Sequence, residues 1–356
     1  MLYINATILD DKPTGLGVYT KNVVKKLKSE LEFKVFSAVE IENCEDNIIK
    51  TTKYVKPKYK KIGGLIRFLW CQFILPFKTK KDDIIYHPFQ YLSFISKSKQ
   101  IITIHDFIPI HYPEVARHQY LYYKYIMPLL LKKAYKIICI SESTKNDLLK
   151  FYKNVDRNKI SVLYNGVDNE IFNINKVDNC RILKKYNIDY EYVMMIGPSY
   201  KHKNIHSIIE VYNEIKDKLN YKLLIVGKDS EYKRSLVNMV NKLNLKKDIL
   251  FLDYVELNDL PTLYNSSNAV IYPSLCEGFG FPVVEATFCG ANVYASNLTS
   301  IPEVIYEKNN LFNPFDKKEI KNVLLNIEQN KKKQQIDINK LNKYIKKFSW
   351  DKFTND

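Results

Sequence analysis

Two glutamates, Glu277 and Glu285, are separated by seven residues, and a Gly-Phe-Gly turn lies between them. The apolar run 269–272 before them predicts a buried strand. The first carboxylate then precedes a glycine loop, and the second falls in the first turn of the next helix. Such a loop and helix N-terminus offer backbone N–H groups to an anion, and carboxylates accept hydrogen bonds from hydroxyls. The pattern therefore predicts a ribose or sugar bound beside a phosphate, although Glu285 could simply be a favourable charge near a helix N-terminus.

Glycine is scarce, with ten in 356 residues, whereas its usual frequency is about 7%. We expect such a chain to keep its glycines where the backbone turns sharply or approaches a ligand. Gly278 and Gly280 fit that interpretation best. Gly290 suits an ordinary helix C-terminal cap, and Pro282 suits the first position of the same helix.

The length of 356 residues allows two domains with sizeable cores. No apolar stretch is long enough to span a membrane, and the N-terminus lacks the features of a signal peptide. The six cysteines form no C-x-x-C pair, so we interpret them as reduced core residues. These observations predict a cytoplasmic protein.

The net charge of +16 comes mainly from lysine. Compositional bias explains it without a function, while an anionic membrane surface or phosphate-bearing substrates are the functional alternatives. No nucleic-acid-binding module is present in the sequence pattern, so nucleic acid is not expected as a partner.

Short apolar runs alternate with amphipathic stretches along the chain, which is typical of parallel α/β architecture. Polar residues such as His105 follow several predicted strands, and ligands bind beyond the carboxyl ends of strands in open α/β sheets. The pattern restarts after a polar stretch. We therefore predict an N-terminal domain over 1–168, a C-terminal domain over 169–335, and a final helical segment over 336–356.

The predicted strands are Leu2–Asn5, Phe33–Phe36, Ile84–Tyr86, Gln100–Ile104, Ile137–Ile140, Ile160–Leu163, Tyr192–Ile196, Leu223–Val226, Ile249–Leu252, Ala269–Tyr272 and Asn292–Ala295. A helix is predicted over Val18–Leu27, and Ser141 or Ser143 is expected to cap the helix that runs through Leu149.

The segment 60–81 is apolar and aromatic in its middle and basic at both ends. It fits an interfacial membrane helix. It also fits a helix that packs on the sheet and carries solvated lysines at its ends, which is the interpretation that we favour.

These residues together resemble a retaining glycosyltransferase of family 4, with the E-x7-E signature at Glu277 and Glu285. Supporting motifs occur in the family's order, among them the Thr14–Tyr19 glycine loop, His105-Asp106 and the segment from Gly197 to Lys203-Asn204. The resemblance covers nearly the whole chain, and Phe348-Ser349-Trp350-Asp351 looks like the segment where the last helix, in 336–356, crosses back toward the N-terminal domain. It implies the GT-B fold, in which two facing Rossmann-like α/β domains enclose an interdomain cleft.

The resemblance also implies roles for individual residues. Glu285 would hold the nucleotide ribose, Glu277 would face hydroxyls of the donor sugar, and Lys203 would sit on the diphosphate. The remaining implied contacts to the nucleotide sugar are made by Gly15, Gly17, Gly197, Gly278, Phe279 and Gly280, with His105 near the transferred sugar. The alternatives are that Lys203 is one of many solvated lysines and that His105 is a structural histidine paired to Asp106.

Two features concern charge at the diphosphate. The chain contains no D-x-D triplet, so we expect neither a metal site nor a cofactor, and a nucleotide-diphosphate sugar serves as donor substrate. Many family members carry an arginine directly after the glycine equivalent to Gly197, but Pro198 stands there in this chain. Lys201 in the same loop could supply that charge.

The expected reaction is transfer of a hexose from the nucleotide sugar to a saccharide or lipid-linked saccharide acceptor. Capsule or O-antigen synthesis at the inner face of the cytoplasmic membrane is the expected setting, with the anionic membrane surface as a further partner. The alternatives are a GT-B nucleotide-sugar 2-epimerase and a non-catalytic paralogue that binds a partner enzyme.

Overall fold

The computed structural model describes residues 1–11, 15–27, 31–114, 116–174, 179–330 and 337–355. Thr14 of the predicted glycine loop lies outside these ranges. The chain divides into two compact units. The first comprises Met1–Gly166 together with Trp350–Asp356, and the second comprises Val167–Ser349.

Parallel strands form one sheet in each unit. The strands are β1 Leu2–Asn5, β2 Phe33–Ser37, β3 Ile48–Lys50, β4 Ile84–His87, β5 Lys99–Ile104, β6 Lys136–Cys139, β7 Ile160–Val162, β8 Tyr192–Ile196, β9 Lys222–Val226, β10 Ile249–Leu252, β11 Ala269–Tyr272, β12 Val293–Ser296 and β13 Leu311–Phe312.

The helices that alternate with these strands are α1 Leu16–Leu27, α2 Lys60–Phe73, α3 Ile108–His111, α4 Arg117–Leu121, α5 Met127–Leu131, α6 Glu142–Phe151, α7 Asn179–Lys185, α8 Ile205–Ile215, α9 Glu231–Lys242, α10 Leu260–Ser266, α11 Phe281–Phe288, α12 Ile301–Val304, α13 Lys317–Gln329, α14 Ile338–Lys347 and α15 Trp350–Asn355. A short π-helical segment, Tyr122–Ile126, joins α4 to α5.

The two sheets share one strand order. The first runs β3-β2-β1-β4-β5-β6-β7 and the second runs β10-β9-β8-β11-β12-β13, with parallel neighbours in both. In each sheet the order in which successive strands are added therefore reverses once, between β1 and β4 in the first sheet and between β8 and β11 in the second. This is the Rossmann order, in which ligands bind where the strand order reverses.

The sequence pattern predicted the inner strands well and missed two edge strands. β3 and β13 are short, and β3 carries a lysine and is only partly buried. The other two edge strands, β7 and β10, were predicted, so the reason is length: runs of three and two residues are too short to show the apolar continuity of a buried parallel strand. The helix predicted from Val18 begins at Leu16 instead.

Helices pack their apolar faces against the sheet in each unit. The predicted helical spacing in α8 is confirmed, because Ile205, Ile208, Ile209, Tyr212 and Ile215 are all buried in the core of the second unit. Burying each such side chain stabilises the fold by about 1.5–3 kcal/mol.

In the first unit, the predicted packing of the 60–81 segment is also observed. Trp70 and Cys71 of α2 lie in a buried cluster with Phe36 and Ile85 of the sheet. Ser141 caps α6, since its side chain accepts a hydrogen bond from the Thr144 N–H, as expected.

Candidate active site

The second sheet reverses its strand order between β8, which ends at Ile196, and β11, which ends at Tyr272. Gly197 follows β8 directly and has φ +83°, a left-handed conformation that glycine adopts without strain. The chain after β11 leads within five residues to Glu277. The two predicted segments therefore meet at the place where such sheets bind ligands.

A short 3-10 turn, Lys201–Lys203, positions Lys203 beside Gly197. A Cβ atom on Gly197 would lie 4.0 Å from Lys203 Cε, so the lysine stem passes close to this glycine. Asn204 ends the turn with φ +55°, a conformation that asparagine tolerates. The Leu275 N–H donates to the His202 carbonyl over 2.8 Å, which ties this loop to the one after β11.

Lys203 and Glu277 form an ion pair within a cluster of hydroxyl groups. Lys203 Nζ lies 2.5 Å from Glu277 Oε1 and 3.0 Å from Tyr272 OH. Tyr272 OH and Ser274 Oγ donate to the same carboxylate oxygen over 2.8 and 2.6 Å. The Lys203 and Glu277 side chains are only 17% and 10% exposed, so the pair is shielded from much of the solvent screening that weakens surface pairs.

Burial and the hydrogen-bond donors around Glu277 shift its pKa in opposite directions. Desolvation alone would raise the pKa of this carboxyl, but the Lys203 ammonium and the hydrogen bonds from Lys203 and Ser274 hold its pKa below the usual value. Glu277 is therefore an ionised hydrogen-bond acceptor at neutral pH. Its charge balances that of Lys203 until a ligand competes for either group.

The loop between the glutamates is anchored mainly through its backbone. Ser300 Oγ donates to the carbonyls of Glu277 and Phe279 over 2.9 and 3.0 Å. The Phe279 ring is buried against Phe281 and Phe348, with ring centroids 5.1 and 5.7 Å apart. The side chain of Phe279 therefore belongs to the core, and any ligand contact that this residue makes is through its backbone.

Gly280 begins the helix that carries Glu285. Its φ of +102° is left-handed, and a Cβ atom there would lie 2.7 Å from Ile301 Cδ1, so both conformation and packing require glycine. α11 starts at Phe281, which places Pro282 in the second position and Glu285 in the second turn. The predictions that Pro282 takes the first helical position and that Glu285 lies in the first turn are therefore wrong, because the helix begins at Phe281.

The predicted C-terminal cap of α11 is confirmed. Gly290 has φ +77°, its N–H donates to the Thr287 carbonyl, and the Ala291 N–H donates to the Ala286 carbonyl. This pair of bonds is the Schellman arrangement, in which glycine takes the left-handed position.

Glu285 has a different environment from Glu277. Tyr264 OH donates to its Oε2 over 3.3 Å. Burial raises the pKa of Glu285 to about 7, although the Tyr264 hydrogen bond lowers it. Burial raises the pKa of Tyr272 as well, and both glutamates add to that rise, so this tyrosine lies in the electrostatic reach of each. The two acids thus differ in charge state near pH 7.

His105 lies in the first unit, directly after β5. Its Nε2 donates to the Pro88 carbonyl over 2.7 Å, which leaves Nδ1 as the acceptor of a neutral ring. Burial lowers the pKa of His105 to about 4, and the Pro88 bond opposes that shift. The ring contacts Tyr19 edge-on at a centroid distance of 4.6 Å. Asp106 Oδ1 accepts a hydrogen bond from the Ile108 N–H.

The predicted first-unit glycines lie at the start of α1, the helix that also carries Tyr19. Gly15 precedes the helix with φ +40°, and a Cβ atom there would meet nothing within 4 Å. Gly17 is buried within the first turn. The structure therefore brings the glycine loop close to His105 within the first unit, while Lys203 and both glutamates come together in the second.

The loop after β8 shows how Pro198 is accommodated. A Cβ atom on Gly227 would lie 2.4 Å from Pro198 Cδ, so the proline packs directly on the end of β9. Lys201 is exposed. Its suggested role in place of an arginine stays a prediction.

The sequence analysis did not predict three residues of this site. Tyr272 and Ser274 stand at the carboxyl end of a predicted strand, so the rule that led to His105 would have found them. Tyr264 lies in α10 and is adjacent to Glu285 only through tertiary packing. Within the described residues, no group of His, Cys, Asp and Glu is placed to hold a metal ion.

Comparison with known proteins identifies the class. Residues 13–171 match the family described as Glycosyltransferase Family 4, and residues 180–347 match that of Glycosyl transferases group 1. The structure of HepE from Anabaena, solved in complex with UDP and glucose, aligns with a TM-score of 0.75 at 17% identity, covering 99% of this chain and 97% of that one. WaaG, a glycosyltransferase involved in lipopolysaccharide biosynthesis, aligns with a TM-score of 0.69 at 14% identity over 98% and 94%.

The chain belongs to the family 4 glycosyltransferases and has the GT-B fold. Among its relatives, the O-antigen chain mannosyltransferase RfbU of Salmonella typhimurium is 34% identical over 71% of this chain and 66% of that protein. O-antigen chain mannosyltransferase B of Escherichia coli is 25% identical over 96% of this chain and 94% of that protein.

Proposed function

We propose that this glycosyltransferase moves a hexose, specifically mannose, from a nucleotide-diphosphate sugar to a saccharide acceptor, with retention of anomeric configuration. The observation that carries the proposal is the Lys203–Glu277 pair at the strand reversal of the second sheet, with Glu285 nearby. The names of the O-antigen mannosyltransferases among its relatives support mannose as the sugar.

Lys203 fits the electrostatic demand of the reaction. Cleavage of the sugar C–O bond leaves an oxocarbenium-like sugar and adds negative charge to the diphosphate. A fixed cation aimed at that charge stabilises the transition state more than the ground state. Lys203 is held by Glu277 and Tyr272 at the end of β8, so little reorganisation is needed when a diphosphate arrives.

The two glutamates would bind hydroxyl groups. Glu277 is ionised and positioned by three side-chain donors, so it would accept from hydroxyls of the donor sugar. Glu285, whose pKa is about 7, would accept from the nucleotide ribose. Backbone N–H groups of the Gly278–Gly280 loop would add contacts to the donor.

The first-unit residues keep the roles that the family resemblance implies. His105 is neutral and presents Nδ1 as an acceptor, which suits contact with a sugar hydroxyl. Gly15 leaves open space around its backbone, which suits close approach of a phosphate.

The acceptor in this proposal is a saccharide on a lipid carrier, used in O-antigen or capsule synthesis. The proposed location is the cytoplasm, with peripheral attachment to the inner face of the cytoplasmic membrane. Among the helices in the described ranges, none is long and apolar enough to cross a membrane.

A donor screen tests the proposal. Purified protein is incubated with UDP- and GDP-linked hexoses, including mannose donors, and release of nucleoside diphosphate is measured with and without a saccharide acceptor. We expect release from a mannose donor that increases with acceptor, and an α-linked product from an α-linked donor. Conversion of the donor sugar to its epimer without transfer would indicate an epimerase instead. No release of nucleoside diphosphate from any donor would favour a non-catalytic paralogue.

We also expect transfer to continue in EDTA. Lys203 supplies positive charge at the place where the diphosphate would lie, so the proposed mechanism needs no divalent cation. The measurement is the initial rate after dialysis against EDTA, followed by addition of magnesium. Complete loss that magnesium restores would overturn this part of the proposal.

A further inference from the structure

One side of α2 is apolar and faces outward. Ile62, Leu65, Leu69 and Phe73 follow each other at spacings of three or four residues, which places them on one face of the helix. Their side chains are 42% to 68% exposed, whereas Trp70 on another face is buried in the core. The packed and the interfacial interpretations of this segment therefore describe two faces of one helix.

A second exposed strip runs along the adjoining helical segment from α4 to α5. Leu121, Tyr125 and Leu129 are spaced by four residues and are 47% to 56% exposed. The rings of Phe68 in α2 and Tyr122 in the π-helical segment are 6.1 Å apart. The two strips thus lie on neighbouring helices of the first unit, and we call them together the apolar face.

Basic residues flank the apolar face along the sequence, and the nearest acids at the start of α2 are Asp10 and Asp11, which contact Lys58. The stretches 58–81 and 117–136 contain no aspartate or glutamate. Their basic residues are Lys58, Lys60, Lys61, Arg67, Lys78, Lys80, Lys81, Arg117, Lys124, Lys132, Lys133 and Lys136. Apart from Arg67, which is buried, these residues are exposed or partly exposed. Because basic residues predominate there, a partner surface of uniform negative charge complements them better than a protein surface of mixed charge.

A groove of about 790 Å³ borders the second strip. It is lined by four lysines and one acid, together with aromatic side chains such as Phe151; the charged residues are Lys124, Lys132, Lys153, Lys159 and Asp156. Lysines beside an apolar wall suit the phosphate and the upper part of the acyl chains of a phospholipid.

We infer that the apolar face docks onto the surface of an anionic lipid bilayer. An exposed apolar helix face with lysines at both ends inserts into the headgroup region while its charges meet anionic lipids. The net charge of +16 acts in the same direction. The inference deepens the proposed function. It rests on that function in one respect: a lipid-linked acceptor would explain why the enzyme binds at the membrane surface.

Vesicle co-sedimentation of the full chain tests the inference. Vesicles contain either phosphatidylcholine alone or equal parts of phosphatidylcholine and phosphatidylglycerol. We expect strong binding only to the second kind, and binding at least tenfold weaker for the double variant L65E/F73E, because it adds two charges to the apolar face. The matched control, Y254E/F315E, changes two side chains of the second unit that are 66% and 69% exposed, and it should bind as the wild type does.

Donor turnover with a soluble saccharide acceptor is measured in parallel for all variants. Unchanged turnover in L65E/F73E shows that it is folded, so weaker vesicle binding then supports the inference. Wild-type binding by L65E/F73E, equal binding to both vesicle types, or no vesicle binding at all would overturn it. A wild-type protein that is inactive but binds anionic vesicles in the predicted manner would contradict the proposed function and still support the docking of the apolar face.

Discussion

Replacing Lys203 with alanine should lower kcat by about a hundredfold or more, which is the usual cost of removing one group that stabilises transition-state charge. Lys203 Nζ is within hydrogen-bond distance of Glu277 and Tyr272, so the ammonium is already positioned before the donor binds. The charge on the leaving diphosphate grows during bond cleavage. We therefore expect kcat to fall more than KM rises, as measured by steady-state kinetics with the preferred donor.

The Lys203→Ala variant also leaves Glu277 without its cation. Breaking a buried ion pair in this way can cost about 3–5 kcal/mol of stability, so thermal unfolding must be measured beside activity. The double variant K203A/E277Q removes the unpaired charge, and we expect it to recover stability without recovering kcat. Lys218, an exposed lysine of the same unit, provides the control K218A, which should keep wild-type activity. A folded Lys203→Ala protein with near wild-type kcat would remove Lys203 from its proposed role.

Glu285→Ala should weaken nucleotide-sugar binding by about tenfold to a hundredfold, because a hydrogen bond to a charged group is worth about 1.5–3 kcal/mol. The carboxylate lies next to Tyr264 and within electrostatic reach of Tyr272, the last residue of β11, and we propose that it accepts from a ribose hydroxyl there. Isothermal calorimetry with the donor, or with the nucleoside diphosphate alone, measures the change. The exposed acid Asp217 gives the control D217A, for which we expect no change in affinity.

The pH dependence of binding gives a second test of Glu285. Its pKa is raised to about 7 by burial, so the group is mostly protonated below that pH and mostly ionised above it. Because the ionised form is the better acceptor, wild-type affinity should rise between about pH 6 and pH 8. The Glu285→Gln variant cannot ionise and should lose this rise. Equal slopes in both proteins would assign the pH dependence to another group.

Part of this site follows from local sequence. A buried parallel strand is a short apolar run, and a helix shows its apolar face at regular spacing, so the inner strands and α8 were predictable. Polar residues directly after such strands marked His105, and the seven-residue spacing around a glycine turn marked Glu277 and Glu285. The glycines at 197 and 280 were recognisable because so few occur in the chain, and both adopt left-handed conformations.

Other features depend on which strands become neighbours. Lys203 and Glu277 are 74 positions apart, and they meet because β8 and β11 pair at the strand reversal, although α8, β9, α9, β10 and α10 intervene along the chain. The Tyr264 hydroxyl likewise reaches Glu285 only because α10 packs beside α11. Spacing also could not show that Lys203 and Ser274 lower the pKa of Glu277, or that burial raises the pKa of Glu285.

The sequence by itself determined the α/β class, the pairing of the two acids around a glycine turn, and the resemblance that names the family. Only the tertiary structure decided that Lys203 contacts Glu277, that Glu285 lies in the second turn of its helix, and that α2 buries one face and exposes another. The physical reason is that periodicity reports how polar each side of an element is. Strand order and helix packing, which bring distant residues together, are set by long-range contacts across the whole unit.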